Sequence, residues 1–185
     1  MNQSPITQLR QTLELTQLDE NRFQGKSLWM PHGRVFGGQV MAQALAAATK
    51  TVDASRPVHS LHGYFLRPGD VDQDIVFEVE ILRDGRSFSA RRVQAIQNEK
   101  VIFSMISSFQ ISEAGPDHQL SPSGDNGDPE QLPTAKQLLG DIDHPSAQYW
   151  SHSRPFDIRH HPDDIYLKVA NHSPQQNVWV KTLEP

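Results

Sequence analysis

Residues 33–48 read GRVFGGQVMAQALAAA. From Phe36 to Thr49 no residue is charged, in a chain that carries 17 Lys and Arg and 22 Asp and Glu. Ala and Leu dominate the run, Met41, Leu45 and Ala48 fall at i, i+4 and i+7, and Gly37–Gly38 opens it. That spacing predicts a helix. A surface helix keeps a polar face, whereas one apolar nearly all round is enclosed by other elements. Gln39 and Gln43 are the exceptions, one turn apart on a common edge near the helix start.

Working outward, Ser4-Pro5 is an N-cap followed by proline at the first helical position. Ile6, Leu9 and Leu13 mark the apolar side of a short helix expected to end near Leu18. Asn21 to Leu28 reads as a short strand with Phe23 inward, and Trp29 to Gly33 as a loop. Beyond the uncharged helix, Val58 to Ile111 reads as sheet. VHSLHGYFL (58–66) is stopped by Arg67-Pro68-Gly69-Asp70. In IVFEVEIL (75–82), Ile75, Phe77, Val79 and Ile81 face one way and Glu78 and Glu80 the other. Asp84-Gly85 signals a hairpin, and Asn98-Glu99 joins the long strands 87–97 and 100–111. Val101, Phe103, Met105 and Phe109 share a face of the second. Strands longer than the usual five or six residues imply a strongly curved sheet.

Residues 112–133, SEAGPDHQLSPSGDNGDPEQLP, have the Ser, Gly, Pro and Asp content of a flexible linker. Helical candidates follow at Thr134–Leu139 and Ser146–Trp150, then strand-like RPFDIRH (154–160) and NVWVKTL (177–183). The expected organisation is a first domain at 1–111, the linker at 112–133, and connecting helices with the opening strands of an unfinished second unit at 134–185. A long small-residue helix followed by a curved antiparallel sheet is most economically enclosed by that sheet. This is the hotdog architecture, an α+β fold.

The bulk composition excludes several classes. A net charge of −5 and no basic block argue against nucleic acid. The absence of cysteine excludes disulfide and thiolate chemistry. MNQSPITQLRQ lacks a signal-peptide profile and no apolar run is long enough to span a bilayer, so a cytoplasmic protein is expected.

The chemistry-bearing features are few. A helix start presents free backbone N–H groups and partial positive charge, and glycine there admits a ligand close to the backbone. Gly37, Gly38 and Gln39 are therefore candidates for polarising a substrate carbonyl, against the alternative that the glycines only permit tight packing. The helix holds no Asp or Glu to activate water, and GxSxG is absent. His59 and His62 have odd spacing on a strand, which sends them to opposite faces and argues against a shared metal, as does the adjacency of His160 and His161. His59 is the candidate for a catalytic group near the helix start, against the alternative of a hydrogen-bonded strand residue. Arg83, Arg86, Arg91 and Arg92 could meet phosphates but beside a hairpin are more often solvated.

VFGGQVMAQAL (35–45), VHSLHGYFLRPGD (58–70) and LRDGRSFSARRVQAIQNEKVIFSMISSFQ (82–110) resemble the N-terminal half of the acyl-CoA thioesterase II family, the TesB-like double-hotdog enzymes. The similarity runs from about residue 8 to 118 and returns at RPFDIR (154–159) and NVWVK (177–181). It implies two tandem hotdog units, hydrolysis of fatty acyl-CoA to free acid and CoA, and neither a metal nor an organic cofactor. The family's Asp, Thr or Ser, and Gln trio belongs to its second unit. The resemblance implies that these positions lie beyond Pro185, so the trio falls on no residue of this chain. The expectation is an N-terminal thioesterase portion, inactive alone, that binds acyl-CoA and pairs with a second copy through its hotdog unit. The alternatives are a noncatalytic acyl-CoA-binding or assembly module and a hotdog hydratase, which would need a His with an Asp or Glu that the spacing does not supply.

Overall fold

In the computed structural model, residues 3–121, 126–167 and 174–184 are described. The chain divides into two units, residues 10–116 and residues 1–9 with 117–185. In the first, the uncharged run forms α2 (Gly37–Thr49). One six-stranded antiparallel sheet accompanies it, in the order β1 (Thr16–Gln17), β2 (Arg22–Gly25), β4 (Ile75–Asp84), β5 (Phe88–Gln97), β6 (Lys100–Gln110), β3 (Val58–Phe65). The inward residues of four strands, among them Phe23, Phe77, Val93, Phe103 and Phe109, are buried in one cluster with Val40, Ala44, Ala47 and Ala48 of α2. Each such aromatic contributes about 1.5–3 kcal/mol through removal from water. The alanines let the backbone of α2 approach the sheet closely enough for those rings to fill the gap.

The two glutamines of α2 are part of this buried side. Gln43 is fully enclosed; its Nε2 donates to Thr12 O and Lys26 O, both at 2.9 Å. Gln39 Oε1 accepts from Leu28 N at 3.0 Å and its Nε2 donates to Lys26 O and to Gln43 Oε1, each at 3.2 Å. The pair thus fastens the segments before and after β2 to the helix, satisfying backbone groups that burial would otherwise orphan. The opposite side of α2 is different. Met41, Ala42, Leu45 and Ala46 are only half-buried, so a strip without polar residues is not covered.

Several expectations shift. The first helix, α1 (Pro5–Leu13), stops short of Leu18, and Thr16–Gln17 pairs with Phe23 and Gln24 as β1. Asn98 and Glu99 both have positive φ, 48° and 60°, the tight turn suited to a two-residue hairpin. Three β-bulges break the simple alternation. One lies between Ile81 and Arg83; Ile81, just before it, keeps the side of Val79 opposite buried Arg91 and is nevertheless exposed. One between Ala95 and Ile96 brings Ile102 inward beside Phe103. The third lies at His59, between the pairs Val58–Phe109 and Ser60–Ser108. An extra residue in one strand inverts the alternation on either side of it.

In the second unit, α3 (Ala135–Leu139) is opened by a capping box of Thr134 and Gln137. It is followed by α4 (Pro145–Gln148) and a π-turn at Tyr149–Ser153. β7 (Phe156–His161) and β8 (Asn177–Thr182) pair with each other as an antiparallel hairpin. Between the units, residues 112–121 are exposed and form no regular element, and residues 122–125 of the expected linker lie outside the described residues. So does Pro185, the last residue of the expected second unit.

Candidate functional site

The start of α2 is chemically open. Its N-cap is Phe36, in extended conformation, a residue with no side-chain acceptor to offer. Gln39 N and Val40 N both donate to Phe36 O, at 3.0 and 3.3 Å. The N–H groups of Gly37 and Gly38 have no acceptor among the described residues. Two unpaired donors at the positive end of a thirteen-residue helix form a small field suited to a carbonyl oxygen or an anion.

Beside this turn lies a cleft of about 470 Å³, reached by Arg34, Gly37 and Arg67 and floored by Val40, Phe65 and Phe103. Its far wall is the segment after β3, held by the backbone and by one buried side chain. Leu66 N donates to Ile102 O at 2.8 Å, and Val35 N to Gly69 O at 3.0 Å. Gln97 Oε1 accepts from Asp70 N while its Nε2 donates to Asp70 O and Gln73 O, all within 2.9 Å. The Arg67 guanidinium is steadied by a 2.6 Å bond from Nη1 to Val101 O. No Asp, Glu or His lines the cleft among the described residues.

A side chain at either glycine would have to displace an exposed phenylalanine ring. A Cβ on Gly37 would stand 2.9 Å from Phe65 Cζ, and one on Gly38 2.5 Å from Phe36 Cε1. The rings of Phe36 and Phe65 therefore lie against bare backbone, so tight packing and exposed donors are two consequences of one arrangement. Of the three residues expected at a substrate carbonyl, Gly37 lines the cleft, Gly38 adjoins it, and Gln39 is withdrawn. The Gln39 amide is committed to residues 26–28 and to Gln43, and its N–H to Phe36 O.

His59 is also placed elsewhere. It lies at the beginning of β3, whereas Phe65 at the other end meets Gly37, roughly 20 Å away at 3.3 Å per residue. Its Nε2 is 2.9 Å from Ser108 Oγ and its ring stands edge-on to Phe88. The bulge at His59 puts it and His62, which pairs opposite Ile106, on the same outer face rather than on opposite ones. The reading of His59 as a group at the helix start is thereby corrected; parity arguments fail across a bulge. None of the described residues lining the cleft is an Asp, Ser, Thr or Gln. Arg91, weighed as a phosphate contact or a solvated side chain, is neither. It is 1% exposed and donates to Thr51 Oγ1, Thr51 O, Arg83 O and Ala90 O, with the Asp84 carboxylate at 2.9 Å. Among the described residues no cluster of three or more His, Cys, Asp or Glu could hold a metal ion.

Comparison with known proteins gives these features a context. Residues 26–110 match the family described as the acyl-CoA thioesterase N-terminal domain. The chain is 38% identical over 181 residues to Acyl-CoA thioesterase 2 of Haemophilus influenzae, covering 96% of this chain and 63% of that protein. It is 47% identical over 110 residues to human Acyl-coenzyme A thioesterase 8, covering 59% of this chain and 34% of that one. The chain thus spans less than two thirds of the length of these relatives. Among solved structures, an acyl-CoA thioesterase II of Mycobacterium marinum superposes with a TM-score of 0.71 at 37% identity, over 96% of this chain and 60% of that chain. A protein from Alicyclobacillus acidocaldarius described as having a hot dog fold superposes with a TM-score of 0.70 at 20% identity, over 88% of this chain and 58% of that one, a likeness of fold alone. The α2 helix laid on an antiparallel sheet is that hotdog fold, and residues 26–110 are similar to the acyl-CoA thioesterase N-terminal domain.

Proposed function

We propose that this chain is the first hotdog portion of a hydrolase that cleaves fatty acyl-CoA to free fatty acid and CoA. The observation that carries the reading is the 38% identity across 96% of the chain to a protein named Acyl-CoA thioesterase 2. In it the start of α2 binds the substrate: the N–H groups of Gly37 and Gly38 take the thioester carbonyl, and the apolar floor of the cleft takes adjoining methylenes. Donors aimed at that oxygen stabilise the oxyanion that forms when the carbonyl is attacked. The cleft contributes no general base, so this chain alone binds without turning over. The β7–β8 hairpin is the opening of a second hotdog unit, and the protein works in the cytoplasm.

The edge of the sheet indicates how a partner is met. β3 is an edge strand, exposed along its length apart from half-buried Gly63. Leu61 and Phe65 pair opposite the buried Ser107 and Phe103, on the side of the sheet that faces α2, and yet are exposed. A second copy pairing edge to edge would cover them and the uncovered strip of α2. The test is calorimetric titration with a nonhydrolysable acyl-CoA thioether, beside a CoA-release assay on the thioester and sedimentation of the free protein. Saturable binding by a dimer that releases no CoA is expected. Release of CoA by the wild-type chain, or a monomer with no binding, contradicts the reading.

A further inference from the structure

The second unit holds a half-buried cation that no acidic side chain pairs with among the described residues. Arg154 follows the π-turn, and its guanidinium carbon sits 3.9 Å above the centre of the Trp150 ring. Its Nη1 is buried and has no hydrogen-bond partner. Among the described residues the ion pairs of this unit go to Arg159 and Lys181, never to Arg154. Stacking on an aromatic face solvates a guanidinium in part, but its planar fork of donors is left for an oxyanion.

A second orphan belongs to the same cluster. Tyr166 stands edge-on to Trp150 at 5.3 Å, and His160 edge-on to Tyr166 at 5.2 Å. His160 is 7% exposed; its Nε2 lies 3.3 Å from Tyr166 Oη, while its buried Nδ1 makes no full hydrogen bond among the described residues, the Gln176 side chain interacting with the ring only weakly. The acids nearby are already engaged. Asp164 Oδ1 accepts from Tyr166 N and Leu167 N, and Asp157 is paired with Arg159 at 2.8 Å. Burial holds Arg154 below and the Tyr149 and Tyr166 phenols above their ordinary pKa values, so neither phenol supplies a negative charge. Unpaired buried polar groups and charges are costly, and a site keeps them where a ligand completes them.

We propose that Arg154 and His160, framed by Trp150 and Tyr166, form an oxyanion-binding site that takes a phosphate or carboxylate group. A guanidinium can meet such a group with two parallel N–H donors, of which Arg154 Nη1 is the unpartnered one, and His160 either donates from Nδ1 or shifts its tautomer to do so. The group arrives on a free phosphate-bearing ligand or as an acidic side chain of another polypeptide segment, and the two sources differ in which small anion competes.

The test uses the full chain labelled with nitrogen-15, with the indole N–H of Trp150 identified by Trp150→Phe. Inorganic phosphate and acetate are titrated separately at constant ionic strength maintained with chloride. A saturable shift of the Trp150 signal is expected, weakened by roughly tenfold or more in Arg154→Gln, as loss of a charge-assisted pair requires. Saturation at much lower phosphate than acetate assigns the site to a free phosphate-bearing ligand; the reverse order assigns it to an acidic side chain. His160→Gln keeps the test decisive where the arginine variant fails to fold, and a several-fold weakening is expected there. Linear, non-saturating shifts with both anions overturn the proposal. So does saturation that is unchanged in His160→Gln or in a folded Arg154→Gln.

Discussion

Arg91 joins the loop after α2 to the β4–β5 hairpin through bonds to Thr51, Arg83, Ala90 and Asp84. Replacing it with Met strands buried carbonyls, so Arg91→Met is expected to lower unfolding stability by about 3 kcal/mol, as loss of one member of a buried polar set does. Urea titration measures this directly. Its partner Asp84 is half-exposed, and its carboxyl is held below the ordinary 3.8 by the Ser89 side chain first and by Arg91 after it. A depressed acid contributes stability that is complete above the unfolded value and is lost as pH falls through the folded one. Acid titration of unfolding should therefore show a loss below about pH 3.8 that is smaller in Asp84→Asn. A steeper acid loss in the variant would contradict the pairing. Residue roles of this kind were barely legible in the sequence. An arginine beside a hairpin and a glutamine on an apolar helix read alike whether they meet water or backbone carbonyls, because most of the acceptors come from segments 7 to 40 residues away.

α2 was legible for a physical reason: fourteen consecutive positions without charge can persist only where water is excluded on at least one side, and Ala44 and Ala47 are indeed fully buried. Lys at position 44 would place an unpaired charge against the sheet, and Ala44→Lys is expected to cost several kcal/mol, on the order of 3 or more. Ala42 faces the half-covered side. Ala42→Lys should cost well under half as much, and equal melting temperatures for the two variants would contradict the packing described here. The strands were legible in position and less so in face. Alternation was correct for Ile75, Phe77, Val79 and Ile81, the last exposed although it shares their side, and failed at His59, which lies at a bulge. A bulge leaves no mark on local composition, so a sequence-based parity cannot detect one. The open helix start was legible from Gly37–Gly38, but the cleft beside it was not, since its far wall depends on Gln97 reaching loop 70–73.

The molecule is two units, each with apolar surface that its own elements do not cover. In the first, the inner face of β3 and one side of α2 are open; in the second, Val178, Val180 and Leu183 on and after β8 are exposed. Larger patches of this kind mark surfaces that meet another body. The central claim concerns what the first unit does with the start of α2. Calorimetric titration of a nonhydrolysable acyl-CoA thioether into the wild type and into Gly37→Val tests it most directly, with folding of both checked by thermal melting. A Cβ at position 37 would meet Phe65 at 2.9 Å and crowd the two free N–H groups. The account predicts saturable binding to the wild type and affinity lower by roughly tenfold or more in the variant, about 1.4 kcal/mol. Equal affinity for the two folded proteins would contradict it.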